Sequence, residues 1–277
     1  MSKTPAFALA PGPAQRAVAG GVTLYVVLLV AVPLAAMTHA GLASGLGALW
    51  EAVSTPVARS ALWLTVWTAT VIAVLNAGLG TATAWVLVRY RFPGRAALSA
   101  AVDLPFAIPT LVAGMMLAVL YGKGSLIGDS LSTLGIELIF APLGIVLALL
   151  FVTLPFVIRA VEPVLLEIDP AEEEAALVLG AGPWRAFRTV YLPAILPAAL
   201  SGAIRSLGRA MGEFGSIVVV AGNIPMRTLT APVYVFGEIE SGSPHSAAAV
   251  SVVLLVLALA LHGVAHVIDA RTGGRHA

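Results

Sequence analysis

The run from Ser60 to Val88 contains no charged residue and is bracketed by Arg59 and Arg89. A helix crosses the hydrocarbon core of a bilayer with about 20 apolar residues. A stretch of this length has no stable place on a water-facing surface, so it constrains the chain to span a membrane. Five further segments have the same character. They lie within Ala17–Met37, Leu104–Tyr121 (somewhat short), Leu138–Ile158, Pro193 to about Ala221, and His245–Ile268. Composition agrees: 59% of the 277 residues are hydrophobic and only 10% charged, where a soluble domain carries about 25% charged residues. A soluble globular protein and a disordered one are both excluded.

The reading is an all-α polytopic membrane protein of six transmembrane helices, with residues 1–277 forming a single domain. The first apolar run exceeds the roughly 7–15 residues of a signal-peptide core, so it is expected to be retained. Basic residues favour the cytoplasmic side. With the N-terminus inside, the inner segments hold Lys3, Arg16, Arg89, Arg91, Arg95, Arg159, Arg185, Arg188, Arg271 and Arg275. The outer loops hold Arg59, Lys123 and Arg227. Both termini are then cytoplasmic. Pro105 and Pro109 predict an irregular start to the third span.

The absence of cysteine removes disulfides, Fe–S clusters and thiol catalysis. A net charge of +1 offers nucleic acid no attractive field. His262 and His266 are four apart on the last span, too few ligands for a metal site. No Ser/His/Asp set or H-E-x-x-H occurs, so the chain is not read as an enzyme. Gly122-Lys123-Gly124-Ser125 is only a fragment of a phosphate-binding loop.

The longest inner loop, 159–191, carries most information. Asp169 before Pro170, with Glu172 three residues on, has the pattern of an N-cap and capping box. Glu172, Glu173 and Glu174 then fall in a first turn, where the helix dipole favours negative charge. The helix is expected to reach Leu179, with Gly180 just past its end. Pro183 opens a second short helix through Trp184 and Phe187 to about Val190, and Leu192-Pro193 turns the chain back into the membrane. Leu177, Leu179, Trp184 and Phe187 have no evident core in so short a loop. They suit either an amphipathic hairpin lying on lipid or a docking surface for a cytoplasmic partner.

Glu174-Ala175-Ala176, three residues, Gly180, nine residues, Val190, one residue and Leu192-Pro193 resemble the EAA loop of the membrane subunits of bacterial binding-protein-dependent ABC importers. Val190 stands where that family usually has Ile. The resemblance implies a type I ABC importer permease fold in the bacterial cytoplasmic membrane, with the loop as a coupling helix seated in an ATPase subunit. It assigns ATPase coupling to Glu173, Glu174, Ala175, Ala176, Gly180, Trp184, Leu192 and Pro193. Glu174 would face a basic residue of the ATPase, and Gly180 would bend the loop. ATP and Mg would be held by that separate subunit, and no cofactor by this chain.

Arg205, Arg209 and Glu213 follow at four-residue steps in the fifth span, flanked by Ser201, Gly208 and Gly212. On a helix they share one face. Charges at membrane depth face the bundle interior or water, not lipid. Two readings stand. In one, Arg209 and Glu213 pair and the glycines allow close helix packing. In the other, Arg205, Arg209, Glu213 and Ser201 line an anion path.

Arg89-Tyr90-Arg91-Phe92-Pro93-Gly94-Arg95, Asp103-Leu104-Pro105-Phe106-Ala107-Ile108-Pro109-Thr110, Gly212-Glu213-Phe214-Gly215-Ser216 and Ala221-Gly222-Asn223 are similar to the sulfate/thiosulfate branch of these permeases, most closely its T-type members. Met211 departs from the usual Leu. The resemblance implies a sulfate or thiosulfate anion as cargo. It also implies a second homologous permease subunit as a hetero-pair, two cytoplasmic ABC ATPase subunits and an extracytoplasmic sulfate-binding protein. The outward segment 223–243, with Arg227, Tyr234, Glu238 and Glu240, is either a contact for that binding protein or a plain surface loop. The alternatives are a molybdate/tungstate permease, a self-sufficient secondary anion carrier, and a membrane scaffold.

Overall fold

The structure, a computed structural model, describes residues 12–273. Lys3 and Arg275, counted in the charge asymmetry, lie outside the described residues. Among the described residues every regular element is helical: α1 (Pro13–Leu42), α2 (Gly45–Ser54), α3 (Pro56–Arg89), α4 (Arg95–Ala107), α5 (Thr110–Tyr121), α6 (Leu126–Thr133), α7 (Pro142–Glu167), α8 (Pro170–Val178), α9 (Pro183–Ala186), α10 (Leu192–Met211), α11 (Gly215–Val220), α12 (Ala231–Glu240) and α13 (Pro244–Gly273). A π-helical turn, Phe187–Tyr191, joins α9 to α10 without a break.

Among the described residues five helices are long and apolar enough to cross a membrane: α1, α3, α7, the rod Pro183–Met211, and α13. The sixth candidate is α4 with α5, bent by 114°. The irregular third span is thereby borne out, but the break falls at the second proline. Ile108, before Pro109, is extended (φ −80°, ψ 125°), because a residue preceding proline avoids the helical region.

Three other boundaries differ from expectation. The fourth span does not end at Ile158 but continues as helix to Glu167, through Pro155 and Pro163. Val161 and Leu165 keep its apolar face buried. The charge of Arg159 is met by Asp103 of α4 (2.6 and 2.8 Å) and by Glu162. The fifth span begins at Pro183, so Leu192-Pro193 does not turn the chain. Proline has no N–H for the carbonyl four residues back. The helix loosens there instead, and Leu192 N–H reaches Phe187 O. At its far end the span stops at Met211, with α11 a separate short helix.

The centre of the bundle is α3, α7 and α10. Small residues let their backbones approach: a Cβ on Gly80 would lie 2.7 Å from Val157 Cβ, and one on Gly202 would lie 2.9 Å from Val157 Cα. Around this crossing, Leu87, Ile158, Val161, Tyr191 and Ile195 form an apolar cluster. Asn76 Nδ2 donates to Thr153 Oγ1 and Ser206 Oγ, both at 2.8 Å, so one amide ties the three helices. The polarity is inside out. Along α1 only Gly41 is buried, against Val252 of α13, while Leu24, Leu28, Leu29 and Val32 are exposed. Exposed apolar area on that scale belongs to a lipid-facing surface.

Candidate functional site

α8 stands at the end of the bundle beyond α7, and none of its residues is buried. Asp169 caps it, accepting from Ala171 N–H at 2.9 Å. The reciprocal bond from Glu172 that would complete a capping box is not found among the described residues. The helix ends in a Schellman arrangement: Gly180 N–H donates to Leu177 O (2.9 Å) and Ala181 N–H to Ala176 O (3.0 Å). Gly180 carries φ +83°, which any side chain would resist. Ala175 and Glu174 are exposed and Ala176 is half-buried. Val178, Leu179 and Trp184 stand 88%, 87% and 69% exposed.

Glu172 and Glu173 lie in the first turn of α8, and Glu174, expected there too, falls just beyond it. Glu174 faces outward, whereas Glu173 turns in toward α3 and the π-helical turn. Its Oε2 accepts from Tyr191 OH and pairs with Arg89 Nη2, each at 2.6 Å. The Tyr191 hydrogen bond holds the Glu173 carboxyl below the ordinary glutamate range, Arg89 acting in the same direction against partial burial. The Arg89 guanidinium lies 5.0 Å over Tyr191 and 5.5 Å over Trp85. Trp85 meets Tyr191 and Phe187 edge-on at 4.9 and 5.2 Å, and Phe187 stacks on Trp184 at 5.5 Å. Leu192 is half-buried and Pro193 exposed in the continuing rod.

A second charged group sits where α10 breaks. Arg209 Nη1 pairs with Glu213 Oε2 at 2.6 Å. Glu213, 1% exposed, uses Oε1 to accept from Ser216 N–H and Oγ at 2.9 Å each. It thus caps α11 in the break rather than continuing the face of α10. The break is packed against the start of α5: a Cβ on Gly114 would lie 2.7 Å from Ser216 O. A cavity of about 400 Å³ opens between α10, α13 and Phe156 of α7; Arg205, Arg209 and His262 line it among mostly apolar residues. Ser201 does not join it. It is buried, and its Oγ has no hydrogen-bond partner among the described residues.

His262, which with His266 offers too few ligands for a metal and suits the membrane interface, lines this cavity instead. Among the described residues no cluster of three or more His, Asp or Glu could hold a metal ion. Arg89 counts in the sequence as an orientation signal and as part of a family-like motif, and Trp85 is four residues before it on α3. Glu173 and Tyr191 come to it from distant segments that no spacing rule links. Gly124 and Ser125 are structural: Gly124 N–H donates to Asp129, and Ser125 Oγ caps α6. Tyr234 of the 223–243 segment is buried, while Arg227 is exposed.

Residues 76–274, which hold the broken spans and the α8 loop, match the model of a family described as binding-protein-dependent transport system inner membrane component. The chain belongs to this family. The permease is 37% identical over 252 residues to the sulfate transport system permease protein CysT of Escherichia coli K12, covering 91% of each chain. It is 42% identical to a probable sulfate transport system permease protein cysT of Nephroselmis olivacea, covering 86% of this chain and 84% of that one. Its fold matches a bacterial ABC transporter involved in the import of the acidic polysaccharide alginate, with a TM-score of 0.75 at 16% identity. That match covers 92% of this chain and 94% of the other. The permease is therefore a multi-pass subunit of an ABC importer of the inner-membrane transporter family.

Proposed function

We propose that this permease carries sulfate or thiosulfate inward. Its partners are a second, homologous permease, two cytoplasmic ATPase subunits and an extracytoplasmic binding protein. The observation that carries the reading is the α8 loop. It buries none of its helix, and it presents Glu174, Val178, Leu179 and Trp184 together beyond the apolar spans. Exposed apolar residues grouped in this way mark an interaction surface. The family membership and the EAA pattern favour an ATPase as the occupant, with ATP and Mg on that subunit. α8 and both termini are then cytoplasmic.

The cavity between α10 and α13 supports the anion path. Arg209 commits one guanidinium nitrogen to Glu213, and no other bond of its side chain is found among the described residues. The remaining donors and His262 can meet an oxyanion in passing. Glu213 offsets part of the positive charge, which suits a site that must release its cargo. The names of the relatives favour sulfate over molybdate or tungstate.

The test is uptake into proteoliposomes holding the permease with its partners. ATP-dependent sulfate uptake, competed by thiosulfate more than by molybdate or tungstate, is the expected result. Gradient-driven sulfate flux by this chain alone would overturn it in favour of a secondary carrier.

A further inference from the structure

We propose that Arg89, Glu173 and Tyr191 form a rigid strut that carries displacement of the α8 loop into α3 and the Pro183–Met211 rod. This rests on the reading of the loop as an ATPase-docked element. At both covalent joints of α8 the backbone leaves the helical conformation. On one side Ile168 and Asp169 are extended, and on the other Gly180 sits in the left-handed region. With nothing of α8 buried, a push on the loop would swing it about these joints and leave the bundle still.

Glu173 removes that freedom. One of its two carboxylate oxygens, Oε2, is held from α3 by Arg89 and from the π-helical turn by Tyr191, each at 2.6 Å. An isolated surface ion pair is a poor mechanical link, because screening and side-chain entropy loosen it. This one is only partly exposed and is backed by aromatic rings. Arg89 lies over the faces of Trp85 and Tyr191, and Trp85 packs edge-on against Tyr191 and Phe187. Phe187 stacks on the exposed Trp184. A continuous chain of contacts thus runs from the docking face to the end of α3, and α3 runs the length of the bundle from Pro56. Glu173 is a positioning residue. It acts through Arg89 and touches no ATPase, while its neighbour Glu174 does the docking.

The test uses the complete complex in proteoliposomes, with sulfate uptake, ATP hydrolysis and complex yield measured together. Glu173→Gln and Tyr191→Phe should keep yield and hydrolysis but lower sulfate moved per ATP about five- to ten-fold. Arg89→Glu should do the same, and adding Glu173→Arg to it should recover at least half of the loss. Unchanged sulfate per ATP in the single variants overturns the strut. So does uptake falling in step with complex yield, which would make the cluster a folding element only. If the wild-type complex shows no ATP-driven uptake, the docking reading itself fails, and the strut with it.

Discussion

Two neighbouring glutamates of α8 differ in surroundings, Glu173 engaged within the chain and Glu174 exposed, and that fixes what each can do. Glu173 is engaged within the chain, so its charge is largely spent. Glu174 is exposed beside Val178 and Leu179 and is free to meet a basic partner. Reversing its charge changes no contact of the folded chain. Glu174→Lys should therefore insert and fold normally yet lose most ATP-driven uptake, by ten-fold or more. ATP hydrolysis by the bound or detached ATPase should continue. Uptake at the wild-type rate in that variant would remove Glu174 from the docking face.

At the scale of elements, the breaks do as much as the helices. The α8 cap was legible in the sequence, because Asp169-Pro170 and Gly180 are local signals and local geometry follows from them. The π-helical turn was not. Pro193 marks a disturbance, but proline spacing cannot say whether the chain turns or merely loosens. Tertiary packing decides here: Tyr191 and Ile195 are buried on α3 and α7 and hold the rod straight. The strut and the α10–α13 cavity were likewise illegible, since they join residues from distant segments. Gly180 offers a test at this scale. No neighbour lies within 4 Å of where its Cβ would be, so a substitution there acts through backbone strain alone. Gly180→Val places a β-branched residue at φ +83°, at a cost of about 1–2 kcal/mol or more. The α8 loop should shift, and pull-down of the ATPase should weaken several-fold while membrane insertion is kept. Gly180→Asn, which tolerates that region better, should restore much of it.

For the molecule as a whole, the spans set an apolar shell against lipid, and two strongly buried polar groups join elements inside. Asn76 joins the central helices, and Glu213 fills the break in α10 while balancing Arg209. The candidate spans and the shared face of Arg205 and Arg209 on α10 follow from hydrophobic run length and four-residue spacing, both present in the sequence, whereas Glu213 falls past the helix end at Met211 and leaves that face. That Glu213 is enclosed, while Arg209 opens on a cavity, depends on α5 and α13 packing around the break. Glu213 is enclosed and accepts from Ser216 as well as pairing with Arg209, so Glu213→Ala leaves these donors without their acceptor, should damage folding and is uninformative about transport. Glu213→Gln keeps the volume and an acceptor for Ser216 but leaves the cation of Arg209 uncompensated. An oxyanion should then be held more tightly and released more slowly. KM for uptake should fall, and the maximal rate should fall with it, by about three- to ten-fold. Arg209→Ala should lower the maximal rate without lowering KM, and lower flux more than complex yield. Equal losses of flux and yield in both variants would show that the pair serves packing alone.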